Sequence, residues 1–146
     1  MGDRPPHRDP RLLAAVFVGG AIGTLLRAAV GTALPAAAGT WPWATFLVNL
    51  TGAFLLGLLL ESLARSGPDV GGRRTLRLFA GTGLLGGYTT YSTFAVEITH
   101  LAAAPALAYA TLTVSGGLLA AIAGVLLARH RTRRDGRHPL GAEPTR

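Results

Sequence analysis

Apolar residues in this chain come in long runs, without the polar face that a soluble helix shows at every turn. A bilayer-spanning helix needs roughly twenty mainly apolar residues. Four runs meet that need, at about residues 12–30, 43–63, 76–101 and 106–127. Turn-forming residues gather between them, at residues 31–42, at 66–72 and near Pro105. The pattern predicts an all-α membrane protein of four transmembrane helices. A polar tail (residues 1–11) and a basic tail (residues 128–146) flank the transmembrane domain (residues 12–127). That division leaves no room for a soluble catalytic domain, so no enzyme activity is expected.

The first run follows Arg4, Arg8 and Arg11, and Ala36-Ala37-Ala38 lies after it, as in a secretory signal peptide. Its length, its Gly19, Gly20 and Gly23, and the three runs that follow favour a first membrane span instead. The formal charge is +7 and every basic residue is arginine. Basicity alone is compatible with nucleic-acid binding, but no basic stripe alternates with aromatics, so none is expected. Cysteine is absent, which excludes disulfides and thiolate metal sites. The arginines concentrate in the two tails and in residues 66–75, whereas the other two loops have none. With four spans those three segments share one side, and the positive-inside rule puts both termini in the cytoplasm. The Ala, Gly, Leu and Arg bias matches GC-rich bacterial coding, so the expected location is a bacterial inner membrane.

The third run is unusual. It reads Gly81-Thr82-Gly83-Leu84-Leu85-Gly86-Gly87-Tyr88-Thr89-Thr90-Tyr91-Ser92-Thr93-Phe94, poor material for a straight helix. Adjacent Gly86 and Gly87 suggest a break, and the region from Gly86 to Thr93 is expected to interrupt the span. Backbone groups freed at membrane depth must be satisfied by protein, ion or water. Outward-turned carbonyls suit an alkali cation and exposed N–H groups suit an anion. The hydroxyls of Thr90, Ser92 and Thr93 can donate to a passing anion, or each can return to its own helix. Asn49 is the sole amide of the second run; it either donates to an anion or ties helices together. Arg27 either lies near an aqueous vestibule or snorkels to the surface. Glu97 either lines a wet exit or sits at a helix end. Tyr109 and Thr113, four residues apart on one helix face, can continue a polar track. Tyr91 and Phe94 can offer an anion the positive edges of their rings, or simply pack.

Three segments resemble a known family: Gly19 to Arg27 (GGAIGTLLR), Thr45 to Gly52 (TFLVNLTG), and Gly86 to Phe94 (GGYTTYSTF). They are similar to the Fluc fluoride channels, also called the CrcB family, in order and spacing across all four runs. The resemblance implies an antiparallel dimer with two fluoride pathways and a structural sodium ion at the dimer interface. It implies that Gly86 and Thr89 give that sodium their backbone carbonyls and that Asn49 donates to fluoride. Ser92 and Thr93 would lie on the polar track, and Tyr91 and Phe94 would occupy the aromatic box. Tyr109, Thr113 and Glu97 would continue the path, with Arg27 near a vestibule. The implied activity is passive fluoride export down the ion's own electrochemical gradient. One departure stands out: the first aromatic position is usually Phe, and here it is Tyr91.

Two other classes compete with a channel. A small proton-coupled multidrug transporter needs a carboxylate near the membrane midplane, and neither Glu61 nor Glu97 is central in its run. A non-conducting or modulatory subunit would account for Tyr91. The lopsided arginines add an expectation about the partner. An antiparallel homodimer needs both insertions, whereas this chain is biased toward one, so it is expected to pair with an oppositely oriented paralogue.

Overall fold

The computed structural model describes residues 9–37 and 39–135. Most of the N-terminal tail, Ala38 of the alanine triplet and the last part of the basic tail lie outside the described residues. Six α-helices and one π-helical stretch follow in order, and no strand occurs among the described residues. They are α1 (Pro10–Ala33), α2 (Trp43–Arg65), α3 (Gly71–Leu76), the π-helix (Arg77–Leu85), α4 (Gly86–Tyr88), α5 (Ser92–Thr99) and α6 (Ala103–Asp135).

Three of these, α1, α2 and most of α6, are long and apolar enough to cross a membrane. The third apolar run is instead divided among α3, the π-helix, α4 and α5. Helix α1 starts where the Asp9 carboxylate accepts the N–H of Arg11 at 2.9 Å, with Pro10 in the first turn. Helix α2 starts after Pro42 and ends before Gly67, whose φ of +123° lies outside the range comfortable for other residues. Helix α6 continues beyond its apolar stretch into the arginine-bearing segment.

The core is made by backbone approach more than by large side chains. Helix α1 lies along the π-helix and α4, and α2 lies along α6. A Cβ on Gly23 would collide with the carbonyl of Leu84, and one on Gly83 would stand 2.6 Å from the Val16 carbonyl. On the second pair Gly57 meets the carbonyl of Ala121, and Gly124 meets that of Phe54. Small residues at such crossings give the close packing by which helices associate in lipid, where apolar burial supplies little driving force. The large apolar side chains point outward instead: Phe17 is 78% and Leu107 71% exposed, a surface suited to lipid or to another chain.

The arginine-rich end is tied by ion pairs. Glu61 accepts from Arg65 at 2.8 Å and from Arg129 at 2.9 Å, joining α2 to α6. Asp69 takes a two-nitrogen grip from Arg77, closest at 2.7 Å, which lowers its carboxyl pKa below the ordinary value. These exposed pairs orient the loop more than they stabilise it.

Candidate functional site

Helical bonding stops after Tyr88 and resumes at Ser92. Gly86 and Gly87 remain helical, and the chain turns extended only at Thr89 (φ −76°, ψ 160°). What holds the turn is Asn49, across from it on α2. Its Oδ1 accepts the Thr90 N–H at 2.9 Å, and its Nδ2 donates to the Thr90 carbonyl at 3.0 Å. One side chain thus replaces both helical bonds of a residue that has left the helix, as burial in an apolar medium demands. The Thr90 hydroxyl then starts α5: its Oγ1 accepts the Thr93 N–H at 3.2 Å and donates to the Thr93 Oγ1 at 3.0 Å. Gly52 makes room, since a Cβ there would meet the methyl of Thr89.

Beside the turn a cavity of about 270 Å³ is lined by Arg27, Thr45, Thr90, Thr93 and Glu97, among others. Both carboxylate oxygens of Glu97 are engaged. Thr45 donates to Oε1 at 2.7 Å and Tyr109 donates to Oε2 at 2.8 Å. The Tyr109 ring is fully buried, 5.2 Å from the Phe94 ring and edge-on to Trp41 at 5.3 Å. Around this clamp lie donors with nothing to donate to. Among the described residues, the buried Arg27 Nε, Trp41 Nε1 and Thr113 Oγ1 have no hydrogen-bond partner. Buried donors are almost always paired. Arg27 lines the cavity with Glu97, Trp41 packs on the Tyr109 ring and Thr113 lies one turn from Tyr109 on α6, so unspent donors border the clamp on one side and its tyrosine on the other.

The structure brings some of the expected residues together and leaves others apart. Arg27, Thr93 and Glu97 face one cavity, and Tyr109 reaches Glu97 from α6. Thr113 is buried one turn further along α6. Phe94 is buried, whereas Tyr91, with its ring 6.0 Å away, is 81% exposed. Ser92 is exposed too and reaches Thr90 Oγ1 only at 3.4 Å. Asn49 gives one of its two amide hydrogens to Thr90, which leaves the other for a ligand. Two contributors were absent from the sequence reading, Thr45 and Trp41. Thr45 lies one turn before Asn49, and that spacing was the only signal available; its bond to Glu97 joins residues 52 apart.

The carbonyls of Gly86 and Thr89 accept no hydrogen bond among the described residues. Neutral oxygen donors freed in this way fit a hard alkali cation.

Replacing Tyr109 by Phe keeps the ring and removes one of the two bonds to Glu97. The expected loss of stability is about 1–2 kcal/mol, read from thermal unfolding in detergent. Combining it with Thr45→Val should cost more than the sum of the two single changes, because the carboxylate is then left without a donor.

The family model described as "CrcB-like protein, Camphor Resistance (CrcB)" matches residues 14–125. The chain is 50% identical over 127 residues to "Fluoride-specific ion channel FluC 2" of Leifsonia xyli, covering 84% of this chain and 87% of that protein. It is 46% identical over 134 residues to "Fluoride-specific ion channel FluC 1" of Mycobacterium tuberculosis, covering 88% and 99%. Similarity to "Fluoride-specific ion channel FluC 2" of Nocardia farcinica is 43% over 124 residues, covering 85% and 86%.

Proposed function

The chain belongs to the CrcB family, and from that premise we propose that it is a fluoride-specific ion channel that lets fluoride leave the cytoplasm passively. The observation that carries the reading is the cavity that the unspent Arg27 Nε shares with Glu97, Thr45 and Thr93, with the unspent Trp41 Nε1 and Thr113 Oγ1 next to Tyr109 by ring contact and by helix position. Fluoride is small and strongly hydrated, so close, strong donors must offset the loss of its water. Conduction also requires that no donor hold it too firmly. Hydroxyls already shared with a carboxylate suit both needs: Thr45 and Tyr109 can turn from Glu97 toward the ion and back. The second amide hydrogen of Asn49, the Thr93 hydroxyl and the ring edges of Phe94 and Tyr91 complete the path, with Ser92 on its exposed side.

In this reading the composite of α3, the π-helix, α4 and α5 is a fourth membrane crossing, broken at Thr89 to Tyr91. The functional unit is an antiparallel dimer, and the exposed Tyr91, Ser92 and Gly86 turn toward the second chain. A sodium ion bound where the chains meet, with the Gly86 and Thr89 carbonyls of this chain among its ligands, would offset the negative ends of those carbonyl dipoles. Residues 1–11 and 128–146 are tails of the transmembrane domain, on the cytoplasmic side of a bacterial inner membrane. The partner is an oppositely oriented paralogue, supported by arginines at Arg65, Arg73, Arg74, Arg77 and Arg129 against two opposite loops without any. Cysteine accessibility at the two termini in cells should find both on one side, and equal labelling from each side would remove the paralogue from the proposal.

Purified protein in liposomes, followed with a fluoride electrode, tests the function. Fluoride efflux without chloride efflux is expected. Absence of fluoride efflux, from this chain alone and from its mixture with an oppositely biased paralogue, would overturn the reading.

A further inference from the structure

The loop between α5 and α6 has no arginine, yet it bears a titratable group that the path described so far does not use. His100 follows the last residue of α5, with its N–H bonded to the Glu97 carbonyl at 3.1 Å and its side chain exposed. With Glu97, Ala36, Ala37 and Thr40 it lines a cavity of about 340 Å³. This cavity shares Ala36, Pro42 and Glu97 with the Arg27 cavity beside the broken turn. The two are therefore successive chambers: an inner one with Arg27 and Thr93, and an outer one whose charged or titratable residues are Glu97 and His100.

We propose that His100 is a further residue of the ion path, an imidazole that concentrates fluoride at the arginine-poor mouth when it carries a proton. The inference rests on the channel reading and deepens it. The charges facing His100 are few. On its own helix there is Glu97, whose oxygens are held by Thr45 and Tyr109. The described residues between α1 and α2, the first turns of α2 and the start of α6 supply none, and α1 supplies Arg27 in the inner chamber. Across the two chambers together Arg27 and Glu97 oppose each other in sign, so a charge on His100 would leave the path net positive. Imidazole is the side chain that changes charge between roughly pH 5 and 8. The protonated form attracts anions and raises their local concentration in the mouth. Acid therefore speeds passage, and salt suppresses the effect by screening.

The experiment is fluoride current across planar bilayers containing the assembled channel, at about pH 7.5 and about pH 5.5, in low and in high sodium gluconate. Protein-free bilayers give the leak of the undissociated acid. A single charge at the mouth should raise the current at the lower pH about two- to threefold in low salt and by almost nothing near 1 M. His100→Gln should conduct at both pH values with a ratio near one. His100→Arg should keep the higher current at both. A wild-type ratio near one overturns the inference while leaving the channel reading intact. A His100→Gln variant that keeps the acid response also overturns it, and so does a ratio that salt leaves unchanged. Absence of current at every pH removes both readings together.

Discussion

Replacing Asn49 by Leu should abolish fluoride flux and loosen the fold at the same time. Leucine has the branched skeleton of asparagine with somewhat more bulk, so the change removes hydrogen bonds and opens no cavity. It leaves the Thr90 N–H and carbonyl, now satisfied at 2.9 Å and 3.0 Å, with no partner in an apolar setting. Each unsatisfied group costs about 1–3 kcal/mol. The pair is therefore worth several kcal/mol, comparable to the whole stability of a small domain. The Thr90 hydroxyl that starts α5 would lose its position with its backbone. Flux in liposomes should fall by at least about a hundredfold, with a lower unfolding temperature in detergent. Asn49→Asp separates the two roles, because a carboxylate still accepts the Thr90 N–H but meets the carbonyl with repulsion. An Asn49→Leu protein of wild-type stability and flux would remove Asn49 from both roles.

Replacing Gly23 by Ala should be among the most damaging single methyls at the described glycines. The added Cβ would meet the Leu84 carbonyl and stand 2.8 Å from the Tyr88 nitrogen, both backbone atoms that no side-chain rotation can clear. Either α1 moves away from the π-helix and α4, or the helix carrying the broken turn moves with it. Overpacking of this kind costs about 1–3 kcal/mol, occasionally more. Here the displaced element includes the site. Gly72→Ala is the contrast: nothing lies within 4 Å of the added carbon. Alanine is a better helix former than glycine by about 1 kcal/mol, so that variant should equal or exceed the wild type. Unfolding temperatures and the yield of folded protein from membranes would read the difference. Equal behaviour of the two variants would mean that the close approach of α1 contributes little.

Much of the architecture could be read from hydrophobic run length. The runs at residues 12–30, 43–63 and 106–127 became α1, α2 and most of α6. Their ends moved outward because Asp9 caps α1 and because helix α6 continues into polar residues, information that apolarity does not hold. The third run was legible as abnormal from its glycines and hydroxyls, and the interruption expected from Gly86 to Thr93 contains the turn, but the residue at which it falls was not legible. The glycine pair at Gly86 and Gly87 suggested a break there, whereas the extended residue is Thr89, because Asn49 on another helix takes the bonds of Thr90. Glycine permits a break; a partner across the interface decides where it falls. The same limit hid Thr45 and Trp41, whose roles exist only through Glu97 and Tyr109 on distant segments. Arg27 had two open readings, and its buried Nε beside the inner chamber favours the vestibule over the surface.

The glycine-lined contacts between α1 and the π-helix, and between α2 and α6, have a consequence for how such a chain can change over generations. Where backbone meets backbone there is no side chain to trade for another of similar volume, so the compensating pairs that let most cores drift are missing. Innovation is then channelled to the outward leucines, where a substitution meets lipid or another chain. A saturation screen for fluoride resistance should show a molecule of two regimes, an interior that accepts almost no alternatives and an exterior that accepts nearly any apolar one.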